Sequence, residues 1–191
     1  MTRRRAVVAG AIALIVLTAG ALLVGVPRWA TRRQAATPAP ATQAVVPLPQ
    51  GRKIKARLFY VADDGMRLTG VERDVPYGES TVEQAREILA AQVAPVAEPL
   101  VSAIPPGTTI RTVFIADDGS AYIDLSREVA AAHRGGTLDE LLTVYTLVNA
   151  LTTNLPAVTA VQVLVDGKEV DTLAGHVDLR RPLAGNLVWV Q

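Results

Sequence analysis

Residues 135–175, GGTLDELLTVYTLVNALTTNLPAVTAVQVLVDGKEVDTLAG, contain the pattern that decides the fold of this chain. Thr137 and Glu140 have the spacing of a capping box, which predicts a helix that begins near Leu138. Apolar residues then recur every three or four positions, and no charged residue follows Glu140 until Asp166. A helix of this composition has little exposed surface. The segment therefore predicts the core of a domain, and it contains no recognisable catalytic motif.

The second half of this stretch predicts a β-hairpin. Pro156 limits how far the helix can extend. Val161, Val163 and Val165 alternate with other residues as in a strand. Asp166-Gly167 then suits a two-residue type I′ turn, because both central residues of that turn take positive φ.

The rest of the domain reads as hairpins and one further capped helix. The predicted elements are strands at 53–62 and 66–75, a helix at 81–93 capped by Ser80 and Glu83, strands at 109–116 and 121–125, a short helix at 126–132, and a final edge strand at 187–190. Hairpins imply antiparallel pairing, and crossovers that contain helices introduce parallel neighbours. The predicted fold class is α+β: a mixed, mostly antiparallel sheet built from hairpins, with two main helices packed on one face.

An N-terminal transmembrane helix is predicted at about residues 6–26, which are uncharged and largely aliphatic. The alternative is a cleaved signal peptide, whose apolar region is usually shorter. Three arginines flank each end, so the positive-inside count is equal on the two sides. The short leader is easily retained in the cytoplasm, which favours a single-pass protein of the cell membrane with an extracytoplasmic C-terminal domain.

Composition divides the chain into three parts. Residues 1–33 are the predicted membrane anchor, residues 34–51 a linker rich in proline and alanine, and residues 52–191 the folded domain. A linker of this kind cannot bury enough apolar surface to fold, and its prolines stiffen it. The folded domain is therefore expected to stand away from the membrane surface.

Charge and cysteine content exclude several classes of function. The net charge of +1 gives no electrostatic basis for binding nucleic acid. The absence of cysteine excludes disulfides, thiolate zinc sites and cysteine nucleophiles. It also excludes the lipid-bearing cysteine of a bacterial lipoprotein.

No catalytic, cofactor-binding or metal-binding residue is predicted. His133 and His176 are the only imidazoles, and Ser126 and Asp124 lack the glycine pattern of a nucleophile elbow. The two Asp-Asp-Gly sequences lack EF-hand spacing and fit hairpin turns better than calcium sites. Gly135-Gly136 precedes a helix N-terminus, where an anion could bind, but no basic side chain follows directly, which favours a simple linker.

Three residues are candidates for interaction or structural roles: Asn149, Pro105 and Arg180. Asn149 is the polar residue of an apolar helix, and a buried amide must be hydrogen-bonded, so it is predicted to bind a loop carbonyl. Pro105 lies in a long loop, residues 94–107, and Arg180 is adjacent to Arg181. These loops are candidates for a partner or glycan surface.

Several segments together resemble the GerMN domain of GerM-type sporulation and spore-germination proteins. They are Leu58-Phe59-Tyr60 with Gly65, Ile104-Pro105-Pro106-Gly107-Thr108, Ala121-Tyr122-Ile123-Asp124-Leu125-Ser126, and Val148-Asn149-Ala150-Leu151-Thr152 followed by residues 161–167. The resemblance covers about residues 53–183. It implies an extracytoplasmic, membrane-attached α/β domain without established catalytic residues, related in shape to ring-building domains of sporulation and secretion assemblies. This chain has one copy of the domain, whereas GerM has two.

The function predicted from these observations is a non-enzymatic, membrane-anchored module for protein assembly in the bacterial cell envelope, without a cofactor. Its expected partners are envelope proteins or further copies of itself, joined at a strand edge or a helix face. The alternative is a module that binds cell-wall glycan, such as peptidoglycan, or a small ligand. Hydrolysis, with His176 in the mechanism, is the least favoured hypothesis.

Overall fold

The structure, a computed structural model, describes residues 51–191. The strands in this part of the chain are β1 (Lys53–Val61), β2 (Leu68–Pro76), β3 (Ile110–Ile115), β4 (Ser120–Leu125), β5 (Ala160–Val165), β6 (Lys168–Glu169) and β7 (Leu183–Ala184). The helices are α1 (Thr81–Val93), α2 (Glu128–Ala131) and α3 (Thr137–Asn154), followed by a short 3-10 helix at Leu187–Trp189.

The predicted α+β class and the mostly antiparallel pairing are confirmed. β1 pairs with β2, β3 with β4, and β5 with both β6 and β7, all antiparallel. β4 and β5 are parallel, and the crossover between them contains α2 and α3. The expected parallel neighbours therefore arise from a helix-containing crossover.

The strands form two sheets, whereas the sequence predicts one. β1 and β2 make a two-stranded sheet, and β3 to β7 make a five-stranded sheet. The outer edge of β1 is bonded to side-chain amides of both main helices, so it cannot pair with another strand there. α1 and α3 each contact strands of both sheets and thereby join them.

The buried face that the apolar periodicity predicts for α3 agrees with the observed packing of this helix. Leu142, Leu147 and Leu151 are at most 2% exposed, and every residue from Leu142 to Leu151 is buried except Tyr145, which is half-buried. The hairpin after this helix also forms as predicted. Asp166 and Gly167 have φ angles of 49° and 76°, as a type I′ turn requires.

One of the two predicted capping boxes is confirmed and the other is wrong. Ser80 and Glu83 form both hydrogen bonds of the box at the start of α1. α3 begins instead after Gly136, whose φ is 94°, and its N-cap makes no side-chain hydrogen bond. Glu140 cannot reach back to cap the helix because its carboxylate binds a distant loop.

The predicted final edge strand at 187–190 is also wrong. The Asn186 side chain accepts a hydrogen bond from the Val188 amide at 3.0 Å, which starts the 3-10 helix. The strand that adds to the sheet is β7, which comes earlier in the chain. Beyond the 3-10 helix, the Gln191 amide donates to the Leu68 carbonyl at 2.9 Å, so the chain ends against β2.

The predicted transmembrane helix at 6–26, and the linker apart from residue 51, lie outside the described residues. Within residues 51–191, no helix is both long enough and apolar enough to cross a bilayer. The three-part division of the chain stays a prediction.

Candidate functional site

The three candidate residues of the sequence have separate local roles. No hydrogen bond in the described part of the chain joins any two of them. Asn149 is fully buried, donates to the Asn186 carbonyl at 3.0 Å and accepts from the Asn186 amide at 2.8 Å. This is the predicted hydrogen bond from the α3 amide to a loop carbonyl, and it attaches the C-terminal segment to the helix.

Pro105 and Arg180 are each held by contacts with nearby residues. Pro105 is buried, and its carbonyl accepts a hydrogen bond of 2.7 Å from the Thr108 hydroxyl. Arg180 is exposed but bound to Asp178 through two hydrogen bonds, of 2.9 and 2.7 Å. This pair holds the pKa of Asp178 well below its usual range. The Arg180 charge is therefore already compensated.

The sequence predicts Glu140 only as the second residue of a capping box. In the structure its carboxylate is fully buried and does not cap the helix. It accepts hydrogen bonds of 2.8 Å from the amides of Leu173 and His176, and the His176 Nδ1 lies 3.3 Å away. Burial raises the pKa of Glu140, hydrogen bonds from four backbone amides of residues 173–177 lower it, and the net effect is a lowered pKa. The carboxylate is an anchor that fixes this loop against the start of α3.

The serine and aspartate considered for catalysis are occupied by structural contacts. The Ser126 hydroxyl accepts from the Thr109 amide at 3.0 Å, and Asp124 binds both the Arg111 side chain and the Gly167 amide. Within residues 51–191, neither histidine is hydrogen-bonded to Ser126 or Asp124. The residues of the hypothetical triad are not assembled.

A cavity of about 230 Å³ lies beside the loop that contains Pro105. Its walls are held by hydrogen bonds: the Thr143 hydroxyl donates to the Ala103 carbonyl at 2.7 Å, and the Gly135 amide donates to His133 Nδ1 at 3.0 Å. Because that amide can only donate, Nε2 carries the imidazole hydrogen and faces the Thr143 hydroxyl at 3.2 Å. The cavity is therefore preformed, although it is smaller than most ligand pockets, which hold about 300–1,000 Å³.

The strand edges of the two sheets differ in how they are protected, which matters because an open edge can pair with another chain. At β1, the side-chain amide of Gln92 accepts a hydrogen bond from the Phe59 N–H and donates one to the Phe59 carbonyl. The side-chain amide of Asn154 bonds to Arg57 in the same way, and all four distances are 2.7–2.9 Å. The Val61 amide donates to the Val101 carbonyl at 2.8 Å. The outward-facing amides of Arg57, Phe59 and Val61 are thus all bonded, and this part of the β1 edge is closed.

The edge of β2 is protected by charge. Glu72, Arg73 and Asp74 are consecutive exposed charged residues, and Pro76 ends the strand. At the other end of the strand, Leu68 is bonded to the last residue of the chain. Charged side chains, proline and a covering segment are all features that oppose edge-to-edge pairing.

Among the described residues, the outer edge of β3 is not hydrogen-bonded to any other segment, and its irregularity is a register shift against β4 between Ile110 and Thr112. β3 has a strand neighbour on one side only, namely β4. Its sequence, IRTVFI, contains no proline and a single charged residue, Arg111. The Arg111 guanidinium binds Asp124 at 3.0 Å and Asp166 at 2.8 Å, so its charge is compensated within the domain.

An exposed aromatic residue lies on this same strand. Phe114 is 59% exposed, and its ring lies 6.2 Å from the half-buried ring of Tyr122 on β4. Single exposed apolar residues are ordinary, but one on an unprotected strand edge marks a surface suited to binding a further strand. We call β3 together with Phe114 and Tyr122 the β3 surface. The sequence does not single out Phe114, because it is one residue within the predicted strand at 109–116.

The family model described as "Germane: Sporulation and spore germination" matches residues 57–171, which is more than half of the chain. The tandem GerMN domains of the sporulation protein GerM from Bacillus subtilis have a TM-score of 0.54 and 19% identity, over 70% of this chain and 46% of that one. The first GerMN domain of the same protein has a TM-score of 0.51 and 22% identity, over 70% and 98% of the two chains. This chain therefore spans about half of the tandem protein and almost all of a single domain.

A candidate lipoprotein from Clostridium perfringens has a TM-score of 0.49 and 21% identity, over 69% of this chain and 87% of that one. Its similarity is too low to support an argument. At the identities of the GerM structures, the likeness shows a shared fold alone. No curated protein sequence matches this chain.

Proposed function

This chain belongs to the Germane family of sporulation and spore germination domains, and on that premise we propose that it is a membrane-anchored module for protein assembly in the bacterial cell envelope. Its GerMN-like domain binds other proteins through the β3 surface. The observation that carries this proposal is the outer edge of β3, which in the described part of the chain is neither closed by side-chain amides nor protected by an uncompensated charge.

Membrane anchoring is supported by the sequence. Residues 6–26 are uncharged and long enough for one span of a bilayer, and arginines flank both ends. The proline-rich residues 34–51 then act as a spacer, which presents the domain outside the cytoplasm at a distance from the membrane. The anchor brings the domain close to other envelope proteins.

The β3 surface supplies both kinds of interaction that strand addition needs. The unpaired backbone groups of β3 give directional hydrogen bonds, each with a net contribution of about 0.5–1.5 kcal/mol. Covering Phe114, which is 59% exposed, adds about 3 kcal/mol if a phenylalanine presents about 200 Å². Helix-face assembly is less well supported, because α3 is buried and the exposed face of α1 carries Glu83 and Arg86.

The proposal includes that the protein is not an enzyme and has no cofactor. Ser126 and Asp124, the side chains considered for hydrolysis, are engaged in hydrogen bonds within the domain. A replacement of His176 by alanine that abolished a hydrolytic activity would contradict this part of the proposal.

The test is capture of partners by the full chain in its native membrane. Affinity-tagged wild type and Phe114→Lys are cross-linked in cells, purified under denaturing conditions and compared by quantitative mass spectrometry. We expect Phe114→Lys to reduce cross-linked partners at least tenfold, because a charge on the strand opposes edge pairing. Met66→Lys is the control, since Met66 is 62% exposed but lies in the turn between β1 and β2. Equal capture by wild type and Phe114→Lys would contradict the proposal.

A second candidate function is binding of a cell-wall glycan or small ligand at the cavity beside Pro105. Its support is a preformed cavity lined by two opposite charges, Arg134 and Asp139, neither of which forms an ion pair within residues 51–191. The expected result is retention of the full chain on purified peptidoglycan, reduced by Arg134→Gln but not by Arg181→Gln. Retention equal to that of an unrelated control domain would exclude the glycan.

A further inference from the structure

We propose that the partner bound at the β3 surface is the β3 strand of a second copy of this chain, paired antiparallel about a two-fold axis at Val113. This inference rests on the proposed function, and it specifies both the partner and the register. It follows from the hydrogen-bond alternation of β3, from the length of the strand and from the position of its charges.

The first step is to identify the backbone groups that face outward. The Ala116 amide donates to the Ser120 carbonyl at 2.9 Å, which places Ala116 in a hydrogen-bonded pair with β4. Pairs in an antiparallel ladder alternate, so Phe114 is bonded to β4 through Tyr122, whereas the N–H and C=O groups of Val113 and Ile115 point away from β4. These are the groups that a second strand can bind.

The second step fixes the register. In a symmetric antiparallel pair, the outward-facing residues of one copy must lie opposite outward-facing residues of the other. Pairing Val113 with Val113, Val113 with Ile115, or Ile115 with Ile115 places the two-fold axis at Val113, Phe114 or Ile115, respectively. The chain turns away at residues 117–119, directly after β3, so within residues 110–115 an axis at Phe114 pairs only residues 113–115, and an axis at Ile115 pairs only Ile115 itself. An axis at Val113 gives the longest overlap, residues 111–115 of both copies, and the irregularity of β3 against β4 between Ile110 and Thr112 lies at one end of it.

This register covers the exposed aromatic side chain. With Val113 opposite Val113 of the second copy, Phe114 of each copy lies opposite Thr112 of the other, at a Cα separation of about 4.5 Å. Phe114 then packs between Tyr122 of its own copy and the threonine of its partner. Threonine is a suitable neighbour, because β-branched and aromatic side chains form favourable cross-strand pairs.

Charge permits the pairing at β3 and opposes it at β2. The only charged residue of β3 is Arg111, and two carboxylates of its own copy already bind it. Two β3 strands therefore meet without an uncompensated like charge. Predicted anchoring in one membrane also raises the effective concentration of one copy for another.

The test uses the natural absence of cysteine from the chain. Thr112→Cys and Phe114→Cys chains, each full-length in membranes and carrying different tags, are mixed by co-expression and treated with an oxidant. The register places these two cysteines opposite each other, within the Cα range of a disulfide. Two copies of the same variant place their cysteines diagonally, about 7–8 Å apart, which is too far.

We expect the mixed disulfide to exceed either same-variant disulfide at least tenfold. A second measurement combines Phe114→Lys with Phe114→Glu: each alone should remove self-capture, and co-expression should restore it. Thr112 and Phe114 are both exposed, so we expect the domain to fold with these substitutions.

The outcomes separate this inference from the proposed function. If no mixed disulfide forms, or if Phe114→Cys with itself gives the larger yield, this inference is wrong. If in addition Phe114→Lys still removes cross-links to other membrane proteins, the proposed function stands with a different partner. If Phe114→Lys changes no cross-link of any kind, both are wrong.

Discussion

Replacing Glu140 by Gln tests whether a buried carboxylate fixes the loop of residues 173–177. Gln has nearly the same shape but only one acceptor oxygen. The carboxylate accepts through Oε1 from Leu173 and through Oε2 from His176, both at 2.8 Å. In the variant, one of these two amides faces an NH₂ group, which cannot accept a hydrogen bond.

The expected cost can be worked from these two contacts. A hydrogen bond to a charged group contributes about 1.5–3 kcal/mol, and a neutral one about 0.5–1.5 kcal/mol. The variant loses one charged hydrogen bond, leaves its buried donor unsatisfied and weakens the other to a neutral bond. Relief of the buried charge offsets part of this loss, so we expect the free energy of unfolding to fall by about 2–4 kcal/mol.

The pH dependence has a definite sign. The pKa of Glu140 is lowered in the folded protein, so the ionised carboxylate contributes stability above its ordinary value of 4.5 and loses it as pH falls through the folded pKa. The difference between wild type and Glu140→Gln should therefore be constant near neutral pH and shrink below about pH 4.5. His176 also faces this carboxylate, so the comparison is repeated in a His176→Gln background.

The assay is urea unfolding of the full chain in detergent, followed by far-UV circular dichroism. Asp139→Asn is the matched control, because Asp139 is the preceding residue, is exposed and loses the same charge. We expect the control to change stability by less than about 0.5 kcal/mol. Equal effects of the two substitutions, or a difference that does not shrink in acid, would refute the role assigned to Glu140.

Four further substitutions test the fold by the same unfolding measurement. Gln92→Leu should cost about 2–4 kcal/mol, because it leaves the buried N–H and C=O groups of Phe59 unpaired; a loss below 1 kcal/mol would mean that the β1 edge is closed by other groups. Ser80→Ala should cost about 1 kcal/mol, whereas Thr137→Ala should cost little, because of α1 and α3 only α1 has a side-chain cap. The reverse order would contradict the assigned caps. Asn149→Leu should cost about 2–3 kcal/mol and increase amide hydrogen exchange in the C-terminal segment, and unchanged exchange there would show that the segment is held elsewhere.

Local chemistry made the helices and turns predictable. The limits of α1 agree with the sequence prediction, because the Ser80 cap and Pro95 delimit it within a few residues. The Asp166-Gly167 turn forms as predicted, because few dipeptides adopt positive φ at both positions. The role of Glu140 could not be predicted in this way. Its spacing from Thr137 fits a capping box, and only the folded chain brings residues 173–177 close enough to compete for the carboxylate.

The β3 surface could not be predicted for a related reason. Phe114 alternates with inward-facing residues in any strand, and its exposure becomes significant only when the outer neighbour of that strand is known. Gln92 and Asn154 look like ordinary polar helix residues in the sequence. Their place against β1 divides the strands into two sheets, and it closes one edge while β3 remains open.

By itself, the sequence determined the family, the α+β class, the main hairpins and the two long helices, and it predicts the anchor and the linker. The family follows from the resemblance of several segments to the GerMN domain. The other properties follow from short-range rules of periodicity, capping and turn geometry, or from composition. The tertiary structure alone decided which strand edge is closed, where the buried carboxylate binds and which aromatic residue is exposed. Each of these depends on contacts between residues more than about thirty positions apart or on the order of strands in a sheet, which local patterns do not specify.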